Sequence, residues 1–269
     1  VIVTGIFDLE KYEERGRSTL SYVEKAEWLL KSTVPLIVFV DGEWQDRIRG
    51  MRPVSAETIW QPAGPEPKRV PTPQAISRTI FEWNPKKDTP RYFGVMRRKI
   101  EWLRRGAELA GESVTWVDLC LPGDLSRPPH TLVEGDADKI KIAEIAHVPL
   151  RVRHDRDSYY SDHFWPVGGG VIRGKPEDLV WLDDRVEEEW SWCLENGYAA
   201  TDEMMIGFVR FQHPERFETY YANHSTLVEN FHGIKRDREF IAYMAMRALD
   251  DGANEEACRR FDAITRSLQ

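Results

Sequence analysis

The chain has 269 residues, 41% of them hydrophobic, and carries a formal charge of −8 at pH 7. That is enough apolar material for one large α/β domain or two small ones, and no apolar run approaches the ~20 residues of a membrane span. The acidic balance argues against a general nucleic-acid binder, which is usually basic. Cys120, Cys193 and Cys258 lack metal-ligand spacing and cannot all pair with one another. The expectation is therefore a reducing, cytoplasmic setting, and Val1 begins what reads as a core strand, not a signal peptide.

In chain order, Val1–Ile6 reads as a central strand and residues 8–16 as a polar βα loop. Ser18 can cap a helix running to about Lys31, with Leu20, Val23, Ala26, Leu29 and Leu30 on one face. Pro35–Val40 is a continuous apolar run, the mark of a strand covered on both sides, and it ends at Asp41. Strand, helix, strand in this span predicts a βαβ unit opening a mostly parallel sheet. The proline-dense stretch 53–90 predicts loops, with a short strand near Thr58–Trp60 and a short helix near Gln74–Phe81. Helical spacing returns from Tyr92 to Ala110 and stops at Gly111. Thr115–Leu119 then reads as a buried strand that delivers a carboxylate, Asp118, at its end. Leu150–Arg153 and Gly168–Gly174 are further strand candidates. Pro176 opens a helix to about Asn196, and Thr201 caps another to about Gln212. The final third reads as helical, clearest at Asp237–Leu249 and Glu255–Leu268. No repeat and no linker divides the chain, so a single domain over 1–235 with a helical extension over 236–269 packed on it is expected.

A few groups along this frame carry chemistry. Asp118 sits where open α/β sheets collect ligands, although an Asp after a strand also makes turns. Gly168, Gly169 and Gly170 with Gly174 allow close approach to the backbone, or serve a tight turn or bulge. Asp202 and Glu203 follow Thr201 and suit the positive end of a helix dipole; a carboxylate there can also serve as a base or hydroxyl anchor. His232 offers an imidazole beside Lys235 and Arg236. The run Arg97, Arg98, Lys99, Arg104, Arg105 lies on a helix, mostly solvated, with one inward-facing member available to neutralise phosphate. No P-loop, GxSxG, HExxH or paired CxxC is present.

The order of these pieces resembles the HtrL/YibB-like glycosyltransferases, a family related to nucleotide-sugar enzymes of the GT-A fold. The likeness starts at Ile2-Val3-Thr4-Gly5-Ile6-Phe7-Asp8 and passes through Pro35–Val40, Tyr92…Lys99 and Trp116-Val117-Asp118. It continues through Gly169–Gly174 and Thr201-Asp202-Glu203 to Pro214–Phe217, Tyr220 and Asn230-Phe231-His232-Gly233. Cys120 departs from the pattern, standing where a second DxD carboxylate or a glycine would fall.

The resemblance implies a GT-A-like (Rossmann-like) α/β fold and transfer of a sugar from a nucleotide-diphosphate donor, a UDP-sugar foremost. It places Thr4, Gly5 and Phe7 beside the base or ribose, with Asp41 approaching the nucleoside. Asp118 and His232 would bind Mn²⁺ or Mg²⁺ at the diphosphate, with Lys99 and Lys235 offsetting phosphate charge and Gly169 and Gly170 admitting the donor. Asp202 or Glu203 would act on donor sugar or acceptor, by inversion or retention. The acceptor is expected to be a glycan, a protein or a hydroxymethylated base of phage DNA, in a bacterial or phage-infected cytoplasm. For DNA, Arg151–Arg156 with Tyr159, Tyr160 and Trp165 would supply cations and stacking surfaces. A nucleotide-sugar-binding protein without catalysis, permitted by Cys120, and a nucleotidyltransferase are the alternatives.

Overall fold

The computed structural model describes residues 1–13, 18–80, 84–121, 129–135, 137–162, 164–223 and 226–231. The strands among them are β1 (Ile2–Ile6), β2 (Leu36–Val40), β3 (Thr58–Pro62), β4 (Val114–Val117), β5 (Ile140–Glu144), β6 (Val167–Gly174) and β7 (Phe217–Tyr221). They form one sheet in the order β3-β2-β1-β4-β6-β5-β7. The first four positions are mutually parallel. β6 runs antiparallel to both β4 and β5, and β5 pairs parallel with β7. The α/β architecture expected from the sequence is thus present, as a mixed sheet.

Helices cover both faces, which is why β2 is apolar at every position. Alternation along the strands sorts the side chains into two cores. Val3, Ile37, Phe39, Val114, Trp116 and Ile172 face one core, built with α4 (Pro73–Thr79), α5 (Pro90–Ala110), α6 (Arg156–Ser161), α7 (Pro176–Glu195) and α8 (Asp202–Gln212). Ile2, Leu36, Val38, Val40, Val117 and Val171 face the other, against α1 (Thr19–Lys25), α2 (Glu27–Leu30) and α3 (Gly42–Met51). Caps set two helix starts where the sequence places them, Ser18 accepting from Ser21 N–H and Thr201 from Met204 N–H; Thr89 accepts from Tyr92 N–H, so that α5 starts at Pro90, ahead of the expected Tyr92. Gly111, at φ 66°, ends α5 in the left-handed conformation.

Several expectations need correction. The helix from Ser18 breaks at Ala26 into α1 and α2. Residues after Asp41 form α3, which the sequence pattern does not announce. Leu150–Val152 is a 3-10 turn, not a strand. The final third is not wholly helical, because β7 adds an edge strand to β5. Gly168–Gly174 lies within a full strand, as read, and it carries the irregularity: consecutive Ile142 and Ala143 of β5 face Ile172 and Gly168, so the extra residues 169–171 belong to β6, where a glycine bulge is one of the two readings of the sequence. The helices expected at 237–249 and 255–268, and with them the proposed 236–269 extension, lie outside the described residues. Among the described residues no helix is long and apolar enough to cross a membrane.

This topology positions the site. From β1 the chain steps outward through β2 to β3, then returns along α5 to β4 on the other side of β1. Strand order reverses between β1 and β4, so the loops leaving their C-terminal ends diverge and leave a crevice. Phe7 and Asp118 stand at its two lips.

Candidate active site

A cavity of about 700 Å³ occupies the crevice, within the range of small-molecule sites. Gly5, Ile6 and Phe7 line it from the end of β1, and Asp118, Leu119 and Cys120 from the end of β4. The segment entering α5 contributes Asn84, Lys87, Asp88 and Tyr92, and the start of α8 contributes Thr201, Asp202 and Glu203.

At its floor lies a buried ionic cluster. Lys99 belongs to the inward stripe of α5, in step with buried Val95, Trp102, Leu103 and Gly106. Its Nζ lies 2.5 Å from Asp202 Oδ2 and 3.3 and 3.4 Å from the two Asp118 carboxylate oxygens. Asp118 is further fixed by Trp116, whose Nε1 donates to Oδ1 at 2.7 Å, and by its own backbone N–H, which donates to the Gly170 carbonyl at 2.9 Å. Glu203 Oε1 accepts the Gly169 N–H at 3.1 Å. One ammonium therefore serves two carboxylates directly and a third through space.

Burial by itself would discharge these groups. For Lys99, burial pulls the pKa down, but Asp118, Asp202 and Glu203 outweigh it and hold the ammonium charged above the ordinary lysine range. Desolvation pushes the Asp202 carboxyl up, against the pull of Lys99. Burial, reinforced by the neighbouring Asp202 charge, pushes Glu203 up to about 7. A carboxyl poised near neutrality is suited to accept and release a proton.

Glycine at 169 is required by this cluster. A Cβ there would collide with Asp202 Oδ2 and come within 3.1 Å of Lys99 Nζ. Gly5 answers a similar demand: a Cβ would lie 2.7 Å from Trp102 Cε3, and Trp102 stacks between Phe39 and Trp116.

The structure gathers Gly5, Phe7, Lys99, Asp118, Gly170, Asp202 and Glu203 around one cavity. Gly169 stands behind the lining and supports the ionic cluster. Thr4 is fully buried and its hydroxyl donates to the Val117 carbonyl at 2.7 Å, tying β1 to β4 away from the cavity. Asp41 precedes α3 and accepts the Asp8 N–H at 3.2 Å, also outside the lining. His232 and Lys235 lie outside the described residues. Of the side chains expected to stack on DNA, Tyr159 and Tyr160 are instead fully buried in the core, while Trp165 is exposed. Of the arginines beside them, Arg153 donates to the Val148 carbonyl and Arg156, its side chain still part-exposed, to Glu189. Asn84, Lys87, Asp88 and Tyr22 were not legible as site residues, since nothing in a proline-dense loop or an amphipathic helix marks which positions meet a distant strand end. Lys99 is the member of the basic run that turns inward, a choice the sequence reading leaves open.

Among the described residues no group of three or more His, Cys, Asp or Glu side chains converges as for a metal ion. Asp118 is the carboxylate with room for one: its side chain is 26% exposed, against 3% for Asp202, which Lys99 holds. Its oxygens are hard donors of the kind Mg²⁺ and Mn²⁺ take.

No family model and no curated protein matches the chain, so the resemblance to the HtrL/YibB-like enzymes stands on the quoted residues alone. Among solved structures the chain is similar to mouse xyloside xylosyltransferase 1 in its apo form. The two share 12% sequence identity over 81% of this chain and 83% of that one, with a TM-score of 0.48.

Proposed function

We infer that the crevice between β1 and β4 binds a nucleoside-diphosphate sugar, a UDP-sugar foremost, and moves its sugar to a hydroxyl acceptor on a GT-A-like sheet. One observation carries this reading: Asp118 leaves the parallel sheet at its switch point and faces the first turn of α8 across Lys99.

Charge supports it. The cavity lining holds Lys87 and Lys99 against Asp88, Asp118, Asp202 and Glu203. A diphosphate entering an already acidic cavity needs a divalent cation to accompany it. Asp118, with His232, is the proposed holder, and the ion when bound supplies Lewis-acid stabilisation of the departing diphosphate. Gly5 and Phe7 flank the nucleoside at the opposite lip, and Gly170 allows the donor close to β6. Lys99 keeps Asp118 and Asp202 from repelling each other and so fixes Asp118 in place; Lys235 offsets charge on the leaving group.

Asp202 and Glu203 take different roles in this reading. Asp202 is locked in its ion pair and acts as the anchor of Lys99. Glu203, half-buried and titrating near neutrality, is the base. It takes the proton of the acceptor hydroxyl as that oxygen attacks the anomeric carbon. The bond from that carbon to the phosphate oxygen breaks, and the nucleoside diphosphate leaves. Such a step inverts the anomeric centre.

The test is nucleoside diphosphate release from a panel of nucleotide sugars with Mn²⁺. The native chain should turn over at least one donor, and Asp118→Ala should lower the rate by about 100-fold or more. Undiminished turnover in that variant, or no turnover of any donor by the native chain, would overturn the assignment.

A further inference from the structure

One carboxyl group beside the crevice takes no part in the chemistry above. Asp8 follows the cavity residue Phe7 at the end of β1 and is only 6% exposed. Among the described residues no lysine or arginine forms an ion pair with it, a state that is costly unless hydrogen-bond donors surround the group. Three donors do, each from a different segment. Oδ1 accepts the Glu10 N–H at 3.2 Å, in the 3-10 turn Leu9–Lys11, and the hydroxyl of Thr19, the first residue of α1, at 2.8 Å. Oδ2 accepts Nε1 of Trp44, on α3, at 3.0 Å. The Asp8 N–H in turn donates to Asp41 Oδ2 at 3.2 Å, immediately ahead of α3. Backbone and side chain of Asp8 are thus both clamped to the start of α3.

This clamp holds one wall of the cavity. Phe7 and Leu9, the chain neighbours of Asp8, line the space, as do Thr19 and, one turn further along α1, Tyr22. Tyr12 stacks on Phe7 with ring centres 5.9 Å apart, which fixes that ring from the same segment. Asp118, Asp202 and Glu203 reach the cavity from β4 and α8 instead.

We propose that Asp8 is a positioning residue that sets this wall against the nucleoside of the donor, acting through Phe7 and Thr19. This rests on the sugar-transfer reading of the same cavity, which seats the nucleoside at the β1 lip. The nucleoside does not react, so the wall serves the bound donor and the transition state alike. Its loss therefore raises KM and leaves kcat in place. A residue that only stabilised the fold would lower the amount of active protein at an unchanged KM.

The experiment has two arms on the full chain. In the first, nucleoside diphosphate release from nucleotide sugars with Mn²⁺ is measured over a range of donor concentration. Asp8→Ala should raise the donor KM about tenfold, equivalent to about 1.4 kcal/mol, with kcat within about twofold of native. Asp8→Asn keeps one acceptor oxygen for Glu10 and Thr19 but none for Trp44, and should fall between the two. Trp44→Phe removes a single donor and should raise KM about threefold, which keeps the test decisive if Asp8→Ala does not fold. In the second arm, amide hydrogen exchange is followed by mass spectrometry without ligand. Peptides covering residues 7–13 and 18–25 should exchange faster in the variants, and those from β4 and α8 at native rates. Native exchange in the variants, an unchanged KM, or a loss confined to kcat overturns the positioning role and leaves sugar transfer standing. Faster exchange of the wall, with no donor turned over by the native chain, overturns sugar transfer and leaves Asp8 as the anchor of the cavity wall.

Discussion

Lys99 is the residue on which the site turns. Its neighbours in the run, Arg97 and Arg104, reach out of the same helix to Asp183 on α7, whereas Lys99 alone of the three points under the sheet edge. A buried ammonium is tolerable only because carboxylates surround it, and a buried carboxylate such as Asp202 is tolerable only because the ammonium is there. Lys99→Met should therefore destabilise the fold by about 3–5 kcal/mol, since it leaves Asp202 buried without its counter-charge. Adding Asp202→Asn should recover much of that loss. Urea unfolding of the two single variants and the double reads the coupling, and simple additivity of the two losses would show the side chains to be independent. Asp118 was legible in the sequence because a strand rich in Val and Trp ended on a charged residue. The sequence shows that one cation of the run from Arg97 to Arg105 can face inward, but neither which one nor its partners. Asp118 is separated from Lys99 by a loop and a strand, and Asp202 lies on another helix altogether.

At the scale of elements, the cluster depends on how closely α8 approaches β6. Gly169 and Gly207 sit where these two elements approach, each where a side chain would collide with the other element or its neighbours. Gly169→Ala would drive a methyl group into the Lys99–Asp202 pair. Overpacking of this kind costs about 1–3 kcal/mol, here at a point where the displaced atoms are charged. The expected result is a lower unfolding midpoint in urea with an unchanged slope; a midpoint equal to the native one would mean that α8 can retreat freely. The helices α5, α7 and α8 were readable to within a residue or two, because each has a cap, a proline or a terminal glycine at its ends. β5 and β7 were not. Lys141 and Glu144 interrupt the apolar pattern of the first, and Phe217–Tyr221 is a short edge strand that exists through pairing with β5, 77 residues earlier in the chain. Local pattern carries no information about such a partner.

For the whole molecule, charge and topology act together. The chain is acidic overall, and the cavity repeats that balance locally, so a nucleoside diphosphate alone should bind weakly. UDP should bind markedly more tightly when Mn²⁺ is present than in EDTA, and Asp118→Ala should remove that gain while raising the metal-free affinity, since it takes one negative charge from the lining. Isothermal titration calorimetry of native chain and variant, each with and without Mn²⁺, measures it; equal affinity with and without the ion would separate Asp118 from any metal.

What the sequence by itself determined was the inventory: an α/β alternation, the boundaries of α5, α7 and α8, and a carboxylate at a strand end with an acidic helix start downstream. Those follow from short-range rules of periodicity and capping, which act within a few residues. The tertiary structure decided the rest. It reversed the strand order between β1 and β4 and so opened a crevice there; it turned Thr4 and Asp41 to internal bonding, buried Tyr159 and Tyr160, and brought Lys99, Asp118, Asp202 and Glu203 onto one floor. Such choices belong to packing between segments far apart in the chain, where the requirement that every buried charge find its counter-charge selects among arrangements that local pattern leaves equal.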